Sequence, residues 1–387
     1  MSNLWRNQKA RNLFLQGLFV AAVLLIVIGG WMNAQQTMQS QRMISGFGFL
    51  HKSTGWDVNF SLLPASANDP YWWFFVIGIV NTLFLGVLGL MLATFIGGLV
   101  GLARTSSNAM LQLLGRTYVD FFRNIPLILQ VFFWYAFVTR LPSVRNAIEI
   151  GPMTLSSRGV YIPALNVGGW YLFAAALALV AAVVLPLWTR TTRRIDKPRE
   201  ERRGMVLAAL FGSLALALAL LWLGRLPETP LIDVPQLQGL NMRGGLRVSP
   251  EFSALLIAIG IYGGAYIGEI VRGGFKAVGR GQTEAAHSLG LSPWQTFSRI
   301  SLPLALRAML PILANQYIWL IKATTMGIAI GFTDFFMIVA VTINQSGQTI
   351  EAIAILMAGF LAINLTIAAI FNRINKAIAL KGNQLRS

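Results

Sequence analysis

Long apolar stretches alternate with short polar segments along almost the whole chain. A helix needs about 20 predominantly apolar residues to cross the hydrocarbon core of a bilayer. Eight stretches approach or exceed that length, at residues 13–31, 73–102, 118–138, 169–188, 205–223, 252–271, 308–331 and 351–371. The pattern therefore predicts an all-α polytopic membrane protein with about eight transmembrane helices.

Lys and Arg are concentrated in every second segment between these stretches, and most strongly in 190–203. Basic loops stay on the cytoplasmic side of a membrane, so eight spans place both chain termini in the cytoplasm. A cleaved signal peptide is the alternative for 13–31. That stretch is longer than a usual signal segment and no small-residue cleavage site follows it, so we predict an uncleaved first span.

Composition changes this picture little. The 387 residues are 55% hydrophobic and 12% charged, which excludes a soluble domain of this size. The net charge of +17 lies mostly in loops, where it acts as a topology signal and contacts anionic lipids rather than nucleic acid. With no Cys and two His, neither a disulfide framework nor a metal cluster is expected.

Residues 46–53 approach a phosphate-binding loop, but His51 occupies a position where that loop needs glycine. No strand and helix flank the segment, so the chain is predicted to have no nucleotide site of its own. The aromatic residues of the outer segment 35–71 indicate an interfacial belt, with a docking surface for an external partner as the alternative.

A polar island at 281–303 separates the sixth and seventh spans. Its first helix carries Glu284, Ala285 and Ala286, and Gly290 suits the position just past a helix end. A second helix is predicted to begin at Ser292 with a capping box. Leu302 and Pro303 are predicted to end it.

The spacing from Glu284 through Gly290 to Leu302 and Pro303 resembles the EAA loop of bacterial ABC importer permeases. In that family the loop forms coupling helices, which sit in a groove of a cytoplasmic ATPase subunit. The resemblance implies that these residues transmit the motions of the ATPase to the membrane helices. An ordinary well-capped helical turn is the alternative.

The stretch from Asn81 to Tyr135 also resembles the histidine/glutamine-type (HisMQ) permeases, which have a core of five helices. The resemblance implies a type I importer core made of the second, third, sixth, seventh and eighth spans, with extra helices. The enlarged chain is similar to permeases of general L-amino-acid transporters.

The predicted organisation has four parts. Residues 1–34 form the N-terminus and first helix, 35–71 a periplasmic segment, 72–375 the transmembrane domain with additions within 140–250, and 376–387 a cytoplasmic tail.

Polar residues within the predicted spans have two interpretations each. Glu269 precedes Arg272 by one helical turn, which indicates an ion pair, with a role at an inner gate as the alternative. Lys322 lies well inside the seventh span, where an unpaired charge costs about 3 kcal/mol. With Thr324, Thr325, Asn315 and Gln316 nearby in the sequence, it could contact a substrate carboxylate or hold helices together.

The second span carries small and polar residues on one face, including Gly97 and Gly101 in GxxxG spacing, which predicts close helix packing. The secondary interpretation is that this face lines a path through the membrane.

The resemblance implies a permease subunit of an ATP-driven importer of L-amino acids. Implied partners are a second homologous permease, a cytoplasmic ATPase dimer that uses ATP and Mg, and a periplasmic amino-acid-binding protein. No cofactor or catalytic residue is expected in this chain. An ion-coupled secondary transporter and a membrane scaffold without a path are the alternatives.

Overall fold

The computed structural model describes residues 8–40, 46–191, 199–226 and 230–378. Several basic residues used for the orientation prediction, at 1–7, 192–198 and 379–387, lie outside the described residues, as does most of the predicted tail. The chain divides into two compact units, one formed by Met1–Val131 with Leu256–Ser387 and the other by Phe132–Leu255.

Twelve α-helices occupy most of the described chain. They are α1 Gln8–Ser40, α2 Tyr71–Thr105, α3 Ala109–Asn124, α4 Leu127–Thr139, α5 Gly169–Thr191, α6 Arg199–Leu223, α7 Pro250–Lys276, α8 Arg280–Ser288, α9 Pro293–Thr296, α10 Leu302–Lys322, α11 Phe335–Ser346 and α12 Thr349–Ile378.

Among the described residues, five helical segments are long and apolar enough to cross a membrane, or six if a bent pair counts as one. They are Tyr71–Thr105, Gly204–Leu223, Pro250–Lys276, Pro293–Ile330 and Thr349–Asn375. The polytopic all-α prediction is confirmed. The first and fourth predicted spans contain only the shorter apolar segments Phe14–Gly30 and Gly169–Leu179, so their crossing stays a prediction.

The third predicted span is not one straight helix. Helices α3 and α4 meet at an angle of 100° at Pro126, which disfavours helical geometry at the preceding residue, and Ile125 is extended. The Gln130 side-chain amide donates to the carbonyl oxygens of Phe122 and Ile125, at 2.9 and 3.1 Å, and so satisfies acceptors that the break exposes. The sequence showed the proline but not the size of the bend.

In the first unit, α2 packs closely on α7 through glycine. A Cβ atom built on Gly97 would lie 2.6 Å from two side-chain atoms of Ile267, and one on Gly101 would lie 2.5 Å from Val271. On the facing helix, a Cβ atom on Gly264 would meet Ile96 at 2.7 Å. Close approach of this kind holds helices together in lipid, so the packing interpretation of the second span is confirmed.

The end of α2 near Tyr71 is covered by a short helix at Phe47–His51 and by α11, an element absent from the prediction. Phe49 and Phe335 are fully buried there, and Trp56 lies edge-on to Phe74 at 4.8 Å. The prediction of an interfacial belt or docking surface for these aromatic residues was therefore wrong for Phe49, because it forms part of the core. Phe47 remains exposed.

Polar groups fix α11 against α2. The Asn81 side-chain amide donates to the backbone oxygen of Thr333 at 2.8 Å, and the Phe335 backbone N–H donates to Thr82 Oγ1 at 3.0 Å. Both polar side chains are fully buried. They satisfy backbone groups at the start of α11, where a helix has no internal partners for its N–H groups.

The second unit contains α5 and α6 and eight short strands, which the sequence analysis did not predict. The strands are β1 Ile148–Ile150, β2 Met153–Ser156, β3 Gly159–Ile162, β4 Ala164–Leu165, β5 Ile232–Asp233, β6 Gln236–Gln238, β7 Asn241–Arg243 and β8 Leu246–Val248. A four-stranded antiparallel sheet has the order β1-β2-β3-β8, and β4-β5 and β6-β7 form separate pairs. Strands this short have too little alternation to be recognised in the sequence.

We expect Gly97→Ala to destabilise the folded chain by about 1–3 kcal/mol, because its methyl group overlaps Ile267. The matched control is Gly98→Ala, whose methyl group meets no atom within 4 Å. Alanine favours a helix equally at both positions, so the difference between their thermal unfolding midpoints in detergent measures the interhelical contact. Equal midpoints would contradict the packing described here.

Candidate coupling loop and membrane site

The polar island folds as two short helices joined by a left-handed glycine. Helix α8 ends at Ser288, and Gly290 has φ +73°, the conformation that favours glycine over other residues. The backbone N–H groups of Gly290 and Leu291 donate to the carbonyl oxygens of His287 and Ala286, at 2.9 and 3.1 Å. These bonds satisfy the last acceptors of α8, and the predicted sharp stop is confirmed.

A capping box starts the second helix, as predicted. The Gln295 backbone N–H donates to Ser292 Oγ at 3.3 Å, and the Ser292 backbone N–H donates to Gln295 Oε1 at 2.9 Å. Pro293 occupies the first turn, where its missing N–H has no helical acceptor to lose.

The prediction that Leu302 and Pro303 end this helix was wrong. Helix α9 continues through a π-helical turn at Phe297–Ser301 into α10, which begins at Leu302. Pro303 lies in the first turn of α10, a position that tolerates proline. The polar island at 281–303 therefore runs without a break into the candidate span Pro293–Ile330.

Large apolar side chains stand exposed on this loop. Leu289 and Trp294 are 80% and 72% exposed, and Glu284 and Ala285 are also exposed. Ala286, in contrast, is buried. An exposed apolar surface rimmed by polar groups is typical of a protein contact. The sequence analysis did not include Leu289 and Trp294 in the site, because their exposure depends on the angle between α8 and α9.

A stack of aromatic rings connects the loop to α7. The rings of Trp294 and Phe297 have centroids 5.8 Å apart, and those of Phe297 and Phe275 are also 5.8 Å apart and nearly parallel, at 11°. Phe275 lies in the last turn of α7. A displacement of α9 would therefore reach α7 by direct ring contact and α10 through the backbone.

The predicted ion pair between Glu269 and Arg272 is present, with Arg272 Nε 3.2 Å from Glu269 Oε2. A second cation, Arg104 at the end of α2, pairs with the same carboxylate. The Arg104 side chain also packs against α3, because a Cβ atom built on Gly115 would lie only 2.6 Å from Arg104 Cγ. Glu269 thus links α2 to α7 at a place where α2 packs close to α3.

The residues predicted around Lys322 separate into two groups. Asn315 and Lys322 lie at helical spacing with Trp319, which was not predicted, and all three are exposed, so they share one face of α10. Gln316 is partly exposed. No acid pairs with Lys322 within the part of the chain that the structure describes.

Thr324 and Thr325 differ from that group. Thr324 is fully buried and its hydroxyl donates to the Ile321 carbonyl at 2.9 Å, so it does not reach the exposed face. Thr325 is partly exposed, and its hydroxyl donates to the Lys322 carbonyl at 2.8 Å.

An aromatic cluster beside this face was missed by the sequence analysis. Tyr262 and Tyr266 stack on Trp319 with ring centroids 5.5 and 6.5 Å apart, and the Tyr262 hydroxyl donates to that of Tyr266 at 3.2 Å. The exposed guanidinium of Arg123 lies over the Tyr266 ring at 4.7 Å. In the sequence, the sign of this cluster was the spacing of the two tyrosines by one helical turn, and ordinary packing explains that spacing equally well.

The fold and the site define a class of protein, a polytopic membrane protein with an exposed helical loop and an exposed polar face on one of its spans. Residues 205–380 match the family described as binding-protein-dependent transport system inner membrane component. The chain belongs to this family of transport permeases, as its full-length relatives also show.

Two relatives match almost the whole chain. The putative amino-acid ABC transporter permease protein YhdX of Escherichia coli (strain K12) is 38% identical, over 93% of each chain. The general L-amino acid transport system permease protein AapQ of Rhizobium johnstonii is 34% identical, over 96% of this chain and 93% of the relative.

The name of a third relative specifies four amino acids. The glutamate/glutamine/aspartate/asparagine transport system permease protein BztB of Rhodobacter capsulatus is 33% identical, over 93% of this chain and 92% of the relative.

We expect Glu269→Gln to lower the stability of the chain by about 1–3 kcal/mol, because it leaves the part-buried Arg104 and Arg272 without a counter-charge. Glu149→Gln, which removes an exposed carboxylate of β1, should change the unfolding midpoint little. In a double-mutant cycle, Arg104→Gln should cost much less in the Glu269→Gln background than in the wild type. Additive costs would contradict the shared ion pair.

Proposed function

We propose that this chain is the permease subunit of an ATP-driven importer that carries L-amino acids across the bacterial inner membrane. The names of its full-length relatives support amino acids as the substrate class. In this proposal a periplasmic binding protein delivers the amino acid. A second homologous permease completes the path, and a cytoplasmic ATPase dimer binds the coupling loops and uses ATP and Mg.

The observation that carries the proposal is the connection from an exposed loop to the membrane helices. Leu289 and Trp294 offer an apolar surface at the tip of the loop, and the stack through Phe297 ends on Phe275 of α7. The unbroken path from α9 into α10 adds a second mechanical connection. Closure of an ATPase groove around this tip would move both α7 and α10.

The exposed face of α10 supports a substrate path between this chain and the second permease. A cation in a span is costly in lipid, so it faces protein or a water-filled cavity. Lys322 and Arg123 are exposed in the single chain, together with Asn315 and Trp319. In the proposed importer this face meets the second permease, and its cations attract the carboxylate that all amino acids share.

The proposed mechanism involves no covalent chemistry within the chain. ATP binding by the partner subunits closes their groove, and the aromatic stack and α10 pass that motion to the helices around Lys322. The substrate site then opens to the periplasm in one state and to the cytoplasm in the other. Both chain termini and the loop at 281–303 lie in the cytoplasm in this arrangement.

The decisive experiment is affinity purification of the full chain from native membranes, with ATPase activity assayed in the eluate. We expect the wild type to retain an ATPase subunit and the variant Leu289→Ala with Trp294→Ala to lose most of it, because the variant removes the apolar tip. The matched control is Leu240→Ala with Trp170→Ala. Those residues are 61% and 86% exposed in the other unit, so the control should retain the ATPase.

Two outcomes would contradict the proposal. Absence of any ATPase from the wild type in mild detergent would remove the importer interpretation. Uptake that survives ATP depletion but collapses with the ion gradient would favour an ion-coupled transporter instead. Amino-acid uptake into proteoliposomes that contain the purified complex, with ATP inside or outside, distinguishes these mechanisms.

Lys322→Gln should reduce amino-acid uptake at low substrate concentration by about tenfold or more, because a charge-assisted hydrogen bond to the carboxylate is lost. Lys322→Arg should retain part of the uptake, since it keeps the charge. Lys52→Gln, an exposed lysine outside the candidate spans, is the control. Normal uptake by Lys322→Gln, with the ATPase still bound, would show that this lysine holds helices rather than substrate.

A further inference from the structure

A basic cavity of about 560 Å³ lies in the first unit, at the end of the bundle that carries the coupling loop. Four cations line it: Arg104 of α2, Arg116 of α3, and Arg272 and Lys276 of α7. Neutral donors from Thr105, Gln112, Thr283 and Ser301 lie between them. No Asp or Glu is among the described residues that line the cavity.

The charge of this cavity is only partly balanced. Glu269 pairs with both Arg104 and Arg272, so one carboxylate serves two cations. Within the described ranges no acid pairs with Arg116 or Lys276. Several like charges around one concave surface concentrate a positive potential there and attract an anion.

The cavity lies at the ends of two candidate membrane spans. The candidate spans Tyr71–Thr105 and Pro250–Lys276 both end at residues of its lining, Thr105 and Lys276. Lipid phosphates lie just beyond the hydrocarbon core that such spans cross. Basic pockets between transmembrane helices at this level suit the headgroups of anionic lipids.

An exposed apolar surface adjoins the cavity along α3. Gln112 and Arg116, one helical turn apart, face the cavity, while Met110, Leu113 and Leu114 are between 57% and 62% exposed. The same helix therefore presents a polar edge for a headgroup and an apolar surface for acyl chains. Phe275 and Phe297 add apolar contacts inside the cavity itself.

We propose that this cavity binds the phosphate headgroup of an anionic phospholipid, with its acyl chains along α3. The assignment to the cytoplasmic leaflet rests on the proposed function, whereas the binding itself does not. Phe297 and Thr283 of the coupling loop line the cavity together with the ends of α2 and α7. A bound headgroup would therefore connect the loop to the core, and the lipid would strengthen the contact that transmits ATPase motion.

The test measures lipid binding to the purified full chain by native mass spectrometry. Phosphatidylglycerol and phosphatidylcholine with the same acyl chains are titrated separately, and inorganic phosphate is added as a competitor. We expect tighter binding of phosphatidylglycerol. In the variant Arg116→Gln with Lys276→Gln, the dissociation constant of the tightest phosphatidylglycerol site should rise by about 10- to 30-fold, because two cations near the headgroup are lost.

Two further variants make the result specific. Arg280→Gln with Arg299→Gln removes the same charge from exposed positions of the loop that do not line the cavity, and it should change binding by less than about twofold. Arg116→Lys with Lys276→Arg keeps both charges and should bind phosphatidylglycerol nearly as well as the wild type. All variants should elute from size exclusion at the wild-type volume.

Four results would overturn the proposal. Equal loss of binding in both glutamine variants would indicate diffuse attraction to the surface, and equal affinity for the two lipids would exclude headgroup recognition. Displacement of the lipid by millimolar inorganic phosphate would assign the cavity to a soluble anion. Loss of the bound lipid from the chain in complex with an ATPase subunit would assign it to an acidic segment of that partner.

Discussion

The close approach of α2 to α7 is the constraint on which the rest of the first unit depends. Two helices in lipid gain nothing from excluding water, so their contact depends on close packing of surfaces. Gly97 and Gly101 bring the backbone of α2 against Ile267 and Val271. This proximity places Arg104 within reach of Glu269, and the same pair of helices forms two walls of the basic cavity.

Two connections join the loop at 281–303 to the membrane helices. One is covalent, because α9 runs through a π-helical turn into α10. The other is the ring stack from Trp294 to Phe275, which reaches α7. π-Helical turns are rare and occur often at functional sites. Here the turn carries Phe297 to the position between the loop and α7.

Charged side chains of the first unit occur in two different environments. At the ends of α2 and α7, Glu269 is shared by two arginines, and further cations surround a polar cavity. Farther along α10, Lys322 has no acid partner among the described residues and lies on an exposed face with Trp319. The first arrangement holds helices in place, whereas the second leaves Lys322 facing a water-filled cavity or a neighbouring protein.

The sequence alone determined the features that depend on neighbouring residues. Apolar length predicted the five helical segments that are long enough to cross a membrane. Residues 281–303 predicted the two helices, the left-handed Gly290 and the capping box, because these depend on residues within one or two turns. The ion pair of Glu269 with Arg272 was predictable for the same reason.

Only the tertiary structure decided how helices rotate and bend relative to each other. Arg104 meets Glu269 across 165 residues of sequence, and Trp319 stacks on Tyr262 of another helix. Such contacts depend on which face of each helix turns inward, and apolar periodicity is weak in spans that are apolar on all sides. The 100° break at Pro126 and the continuation through Pro303 were undetermined for a related reason, since proline permits both a break and a helix start.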